Sequence, residues 1–191
     1  MIEIFFFSFL SSLYYISAGI FFSKNILNLK INNEFNIFKY GLYGGIILAF
    51  LALFLNFFLN LGKNIKTIIF LFFLIYLIFE QKKLLKKIFI SSIIIALTCS
   101  ILIIYENTYR PDAGLYHLPY ISYLNNEKII IGLSNIHFRF AHTSIIQYLS
   151  ALNYNWFFSD KGIVLPTAII YSSFLFYLIY EMKNTEDKSI L

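Results

Sequence analysis

The sequence predicts an all-α, polytopic transmembrane protein with about five spanning helices and short interfacial helices in one external loop. Hydrophobic residues make up 59% of the 191 residues and charged residues 13%, so a water-soluble domain of this length could not bury its apolar surface. Five apolar runs reach or approach the roughly 20 residues that a spanning helix needs. One polar segment, Tyr105–Ser144, contains all three histidines and both arginines.

The first three apolar runs are Ile4–Phe22, Tyr40–Leu61 and Ile65–Phe79. Glu3 precedes the first run where a signal peptide would carry a positive charge, so we interpret this run as a retained helix. The second run opens with Gly41, Gly44 and Gly45, which predict the close approach of a neighbouring helix. The third run is short, and the lysines at its two ends would extend it towards the interface.

The last two runs, Ile88–Ile104 and Ile163–Tyr180, lie on either side of the polar segment. Together the five runs divide the chain into N-terminal transmembrane helices (1–104), an external loop (105–160), and a final helix with a tail (161–191). Orientation follows from lysine placement, because cytoplasmic loops carry an excess of Lys and Arg. The lysines between the first and second runs and between the third and fourth runs assign those connections to the cytoplasm. The N-terminus and residues 105–160 are therefore predicted to be external, and the C-terminus cytoplasmic.

The loop is predicted to contain short helices. Pro111 and Asp112 suit a first helical turn, where the exposed N–H groups also keep a carboxylate ionised. Pro119 limits or kinks that helix and leaves a second piece at 120–124. Ser144 and Gln147 form a capping box for a further helix, which we expect to lie along the membrane interface with its polar side chains on faces other than its apolar stripe.

The run from Asn135 to Ala141 alternates in polarity. If this run is extended, Asn135, His137 and Arg139 share one face, and the other face carries Ile136, Phe138 and Phe140. A cluster of this kind would suit a binding site. Each residue also has a plainer interpretation: Asp112 as a helix cap, His137 and Arg139 as ligands of lipid headgroups, His142 as a surface residue, and Glu106 with Arg110 as a structural ion pair.

Several kinds of site are disfavoured. The spacing of the histidines lacks the i, i+4 pair of a helical zinc motif, so no metal ligands are assigned. The sequence has no nucleophile elbow and no phosphate-cradling glycine loop. The single Cys99 cannot form an internal disulfide. The scattered basic residues form no helix face for nucleic acid, and the predicted surroundings are a lipid bilayer.

Two separated motifs carry a family resemblance. They are Asp112-Ala-Gly-Leu-Tyr116-His117-Leu118-Pro119 and Gly132-Leu-Ser-Asn135-Ile-His137-Phe-Arg139. Within about a quarter of the chain, Tyr109–Trp156, the sequence resembles bacterial multi-pass membrane proteins of the GT-C glycosyltransferase type, which are distant relatives of the protein mannosyltransferases. The resemblance implies a bacterial inner (plasma) membrane protein that transfers a sugar from a polyprenyl-phosphate donor to an acceptor hydroxyl.

The resemblance also implies roles for individual residues. Asp112 would act as the catalytic base or as a metal ligand, and the resemblance leaves open whether a divalent metal takes part. His117 (assigned with Asp112 to the catalytic group), His137 and Arg139 would hold the departing lipid phosphate, and Asn135 would join them in binding the substrate. An acceptor hydroxyl loses its proton and the leaving phosphate needs positive charge or hydrogen-bond donors, so this chemistry is coherent.

The chain departs from that family in two ways. Several helices precede the loop, and only one follows it. We therefore expect a truncated or partial member, with a membrane partner that completes the helix bundle. Two other functions stay open: a non-catalytic membrane subunit or assembly factor that uses the loop for docking, and a small transporter. The transporter is disfavoured because its spans contain almost no ionisable residues away from their ends.

Overall fold

The fold is all-α. The computed structural model describes residues 2–29, 36–105, 113–136, 138–141 and 144–189, and these residues contain no strand. The α-helices are α1 (Ile2–Asn25), α2 (Ile37–Phe58), α3 (Lys63–Tyr76), α4 (Lys82–Tyr105), α5 (Leu118–Asn126), α6 (Ile145–Asn153) and α7 (Leu165–Ser189). Short 3-10 helices cover Leu77–Phe79, Leu133–Asn135, Phe138–Ala141 and Ser159–Val164, and a π-helical turn covers Ala113–His117.

Four helical segments of the described chain are long and apolar enough to cross a membrane: Ile2–Asn25, Ile37–Phe58, Lys82–Tyr105 and Ser159–Asn184. The protein is thus an integral membrane protein, as predicted. The third predicted span is shorter, because α3 has 14 residues and continues only through the 3-10 turn Leu77–Phe79. Asn64 near its start bonds the Trp156 indole, and Glu80 just beyond its end pairs with Lys24. One end of α3 therefore lies beside Trp156, and its other end lies beside the last turn of α1, so α3 runs alongside the spanning helices.

The two ends of the bundle differ in what they contain. One end, which we call the loop end, contains residues 113–136, 138–141 and 144–164, and Lys161 pairs there with Glu3 at the start of α1. At the opposite end, Lys24 pairs with Glu80. Asn36, which caps α2, also donates there to the Tyr177 carbonyl and the Glu181 carboxylate of α7.

Helices α1 and α2 cross at glycines, as the sequence predicted for the glycines of the second run. A Cβ at Gly19 would overlap the Tyr40 carbonyl oxygen, and a Cβ at Gly44 would overlap the Tyr15 carbonyl oxygen. The other two predicted glycines face α7, since Gly41 lies against Ser173 and Gly45 against Ile170. Small residues permit such close packing where lipid replaces water and no hydrophobic force drives helices together.

Polar groups tie the loop to the end of α2. Asn56 Nδ2 donates to the Glu127 carbonyl across 3.0 Å, and the Asn56 carbonyl accepts from the Ile129 N–H across 2.9 Å. The Leu61 N–H donates to the Leu124 carbonyl across 2.9 Å. These bonds satisfy backbone groups that would otherwise be costly next to an apolar bundle.

Helix α6 is packed more deeply than the sequence suggested. Every residue of 147–153 is buried, including Gln147 and Asn153, and α6 lies against α2, α5 and α7. Asn153 reaches across to α1, where its Nδ2 donates to Ser11 Oγ across 2.9 Å. The polar side chains that we expected on faces other than the apolar stripe are therefore used inside the protein, and Trp156 is 64% exposed.

Candidate functional site

The first motif of the candidate site is a π-helical turn that leads into α5. Pro119 lies in the first turn of α5, and the preceding residues Ala113–His117 are wound as a π-helix. Proline lacks an N–H, and its ring would clash with the carbonyl four residues earlier in a regular α-helix. A wider π turn removes that clash, and such turns are frequent at functional sites. The helix is not interrupted at Pro119: the π-helical turn passes directly into α5 one residue before it, and His117 lies at this junction.

His117 is held by the capping box of α6. The Ser144 N–H donates to Gln147 Oε1 across 3.1 Å, and Gln147 Nε2 lies 3.1 Å from His117 Nδ1. Because an N–H can only donate, Oε1 is fixed towards Ser144 and the NH₂ group towards the imidazole. His117 Nδ1 is therefore an acceptor, and the proton of the neutral ring lies on Nε2. The exposed His117 side chain thus offers an N–H donor at Nε2.

Arg139 joins His117 through Tyr116. The Arg139 guanidinium carbon lies 4.9 Å from the centre of the Tyr116 ring, and the rings of Tyr116 and His117 are 4.2 Å apart. The distance between guanidinium and ring is typical of a cation–π contact. Tyr116 and Arg139 are 23 positions apart in the sequence. The two motifs therefore meet at the loop end, and they bring one positive charge and one N–H donor to the same place.

A cavity of about 450 Å³ lies at the loop end, between α5, α6 and residues 129–134. Tyr120 and Tyr148 line it, with their hydroxyls 3.5 Å apart, and Ser134, Ser144 and Phe140 complete part of its wall. Burial, and then the hydrogen bond between the Tyr120 and Tyr148 hydroxyls, raise the pKa of Tyr120 well above its ordinary value. Tyr120 therefore stays protonated and cannot serve as a base at neutral pH.

The second motif is not extended, contrary to our expectation. Gly132 adopts a left-handed conformation (φ 89°), and the chain then forms the 3-10 helices Leu133–Asn135 and Phe138–Ala141. Phe140 is buried against Tyr120 and Tyr123, and that contact favours the 3-10 helices over an extended segment. Asn135 is exposed and lies beside Gly132, and among the described residues it forms no hydrogen bond with His117 or Arg139. The structure thus joins His117 and Arg139 and leaves Asn135 apart.

Two assigned residues, Asp112 and His137, lie outside the described residues, as do Glu106, Arg110 and His142. Within the part of the chain that the structure describes, no group of three His, Cys, Asp or Glu side chains is arranged to hold a metal ion. The described site is consequently one of hydrogen-bond donors and positive charge.

Sequence reasoning missed the second role of Gln147. The Ser-x-x-Gln pattern identified it as a capping residue, and the structure confirms both bonds of that capping box. Its partner His117 is 30 residues away, and no local pattern indicates that contact. The sequence indicated a second partner only in that the Gln147 amide nitrogen stays available once the amide oxygen has capped the helix.

Comparison with known proteins assigns the chain to a family. A family model described as a domain of unknown function (DUF8201) matches residues 1–190, and the chain belongs to that family. No curated protein matches the chain, and no solved structure matches it.

Proposed function

We propose that this protein is a membrane glycosyltransferase, or part of one, that transfers a sugar from a polyprenyl-phosphate donor to an acceptor hydroxyl. The observation that carries the proposal is the contact of Arg139 and His117 with the same residue, Tyr116, at the loop end. A guanidinium binds phosphate oxygens through paired N–H groups, and the His117 Nε2–H adds a neutral donor. Both motifs of the family resemblance contribute to this cluster.

The reaction is a substitution at the anomeric carbon of the sugar. The acceptor oxygen forms a bond to that carbon as the bond from carbon to the phosphate oxygen breaks. The acceptor proton passes to a base, a role that the resemblance gives to Asp112. The leaving polyprenyl phosphate gains a negative charge, which Arg139 and His117 would stabilise in the transition state. A membrane-embedded donor also accounts for the lack of a nucleotide-binding loop in the sequence.

We propose the loop end as the external end, in a bacterial inner membrane. Lysines crowd the opposite end: Lys24, Lys39, Lys82, Lys83, Lys86 and Lys87 all lie there, by the positions of their helices. Cytoplasmic ends of membrane proteins carry such an excess. The sugar would then be transferred on the outer side of the membrane.

The proposal is tested with the full chain in lipid nanodiscs that contain a panel of radiolabelled polyprenyl-phosphate sugars and membrane extract as acceptor. We expect transfer by the wild type and its loss in Asp112→Asn, which removes the base but keeps the shape of the side chain. Glu127→Gln is the matched control, because Glu127 is an exposed carboxylate of the loop whose side chain forms no hydrogen bond or ion pair within the described part of the chain. Equal transfer by wild type and Asp112→Asn would remove Asp112 from the chemistry.

A specific observation favours a second candidate, a non-catalytic membrane subunit. Large apolar side chains of the loop are exposed: Leu115 by 63%, Ile131 by 96%, Ile136 by 70% and Phe138 by 68%. Exposed apolar groups at a membrane surface suit a partner protein as well as lipid. Copurification of one stable membrane partner, with alanine tolerated at both Asp112 and His117, would support this candidate over the enzyme.

A further inference from the structure

A second cluster of positive charge lies at the loop end, apart from His117 and Arg139. Lys63 and Lys66 are in the first turn of α3 and line a cavity of about 860 Å³. The other walls come from α5 and from the segment that precedes α7. The resemblance and the sequence motifs assign no role to this cavity.

Lys66 is buried with a neutral partner. Its side chain is 1% exposed, and Nζ donates to Asn125 Oδ1 across 2.7 Å. The centre of the Tyr154 ring lies 4.7 Å from Lys66 Nζ and 4.5 Å from Lys63 Nζ, so the two ammonium groups share one ring. Asp160 lines the same cavity, but among the described residues neither lysine forms an ion pair. Burying an ammonium without a counter-ion is unfavourable.

The N-terminus of α3 makes the burial of these ammonium groups still less favourable. The N-terminus of a helix carries a partial positive charge and unpaired N–H groups, which disfavour lysine and favour an anion. The capping residue of α3, Gly62, has no side chain to bond those N–H groups. Two lysines in the first turn are thus the reverse of the usual preference. An anion bound in the cavity would compensate both ammonium groups and the helix end together.

The remaining walls of the cavity suit a lipid. Its lining also includes the apolar side chains of Leu118, Ile121, Ile163 and Val164. Tyr154 and Trp156 flank the lysines, and these two residue types concentrate at the level of lipid headgroups. The cavity thus combines a cationic, amide-lined part with an apolar part, at one end of a membrane-spanning bundle.

We infer that Lys63 and Lys66 bind the anionic phosphate group of a lipid, whose acyl chain lies along the apolar wall of this cavity. The inference is independent of the proposed glycosyltransferase activity, because it concerns different residues and is tested by binding. Asn125 would keep Lys66 oriented, and the lipid phosphate would occupy the remaining N–H positions of both ammonium groups.

Trp156 provides the readout, since it is the only tryptophan of the chain. Its Nε1 donates to Asn64 Oδ1 across 2.9 Å, and Lys63 Nζ lies 5.1 Å from the ring. Phosphate binding that draws Lys63 away from the ring would change the indole emission. The full chain is placed in phosphatidylcholine nanodiscs, and its fluorescence is followed as increasing fractions of phosphatidic acid are included.

We expect a saturable change in emission that is absent in pure phosphatidylcholine. Lys66→Met should weaken binding about tenfold, since charge-assisted hydrogen bonds are lost, whereas Lys66→Arg should restore most of the affinity. Lys128→Met is the matched control, because Lys128 is an exposed lysine of the loop that lies outside this cavity. Should Lys66→Met fail to fold, the half-buried Lys63 offers a second variant, Lys63→Met, with the same expected weakening.

Two results would overturn the inference. If Lys66→Met or the substitute Lys63→Met binds phosphatidic acid as tightly as the wild type does, the lysines do not form the site. If inorganic phosphate alone produces the full response in phosphatidylcholine nanodiscs, and phosphatidic acid adds nothing, the site belongs to a soluble phosphate and not to a lipid.

Discussion

The side chain of Gln147 donates an N–H to Nδ1 of His117 across 3.1 Å, and the same glutamine caps α6 by accepting from Ser144. This pairing joins the helix α6 to the π-helical turn that precedes α5. It also determines which nitrogen of His117 carries the proton, and therefore whether the exposed side of the ring donates or accepts.

Changing Gln147 to glutamate should exchange the hydrogen-bond donor and acceptor nitrogens of the His117 ring. Glutamate at this position still completes the capping box, so α6 begins as before. A carboxylate can only accept, so the proton of the neutral imidazole should move from Nε2 to Nδ1. Nitrogen-15 NMR of the histidine rings measures this directly, with His117→Asn used to identify the resonance. We also expect sugar transfer to fall about hundredfold, because a donor to the leaving phosphate is lost.

A proton that stays on Nε2 in both proteins would contradict the assignment. Gln81→Glu serves as the control, because Gln81 is an exposed residue at the opposite end of the bundle and should leave the ring unchanged.

Gly44→Ala should destabilise the bundle. The added Cβ would overlap the backbone carbonyl of Tyr15, which no side-chain rotation can relieve. We expect a loss of about 1–3 kcal/mol or more, measured as a lower midpoint of thermal unfolding in detergent. Gly114→Ala is the control, because a Cβ there meets no atom within 4 Å. Equal unfolding midpoints for the two variants would show that α1 and α2 do not cross at Gly44.

Asn56→Leu should loosen the loop without unfolding the helices. The substitution removes the side-chain donor to the Glu127 carbonyl, next to the backbone bond between Ile129 and residue 56. Hydrogen exchange at the Ile129 amide should become about tenfold faster. Asn60→Ala is the milder comparison, because its exposed side chain bonds only the Asn126 carbonyl and competes there with water. Unchanged exchange in Asn56→Leu would show that this asparagine does not hold the loop.

The orientation of the bundle can be tested by cysteine labelling. The native Cys99 is buried and should not react. Ser134→Cys places an exposed thiol at the loop end, and Lys83→Cys places one at the opposite end. In intact cells, a membrane-impermeant maleimide should label the first variant and reach the second only after lysis. The reverse pattern would place the loop end in the cytoplasm.

Features that depend on residues close together in the sequence were predictable. The glycines of α2 indicated a close helix contact, and Ser144 with Gln147 indicated a helix start, and both are confirmed. Pro119 indicated a limit or kink, and it lies where a π-helical turn changes to the regular helix α5. Each depends on the geometry of a single helix turn or of one backbone bond, which sequence spacing encodes directly.

Features that depend on distant packing were not predictable. We expected the lysines at the start of α3 to extend outwards, but Lys66 is buried between Asn125 and Tyr154, which lie 59 and 88 positions further along the chain. The alternation of residues 135–141 suggested an extended segment, but the left-handed Gly132 and the burial of Phe140 favour 3-10 turns. The roles of Asp112 and His137, which lie outside the described residues, stay predictions.

The central claim is that Arg139 acts on the departing phosphate, and the most direct test is the single-turnover rate of sugar transfer in nanodiscs. We predict that Arg139→Met lowers this rate at least about hundredfold with saturating donor, and that Arg139→Lys recovers part of it, since lysine keeps the charge but not the paired N–H groups. Lys128→Met should transfer at the wild-type rate. A rate for Arg139→Met equal to that of the wild type would contradict the claim.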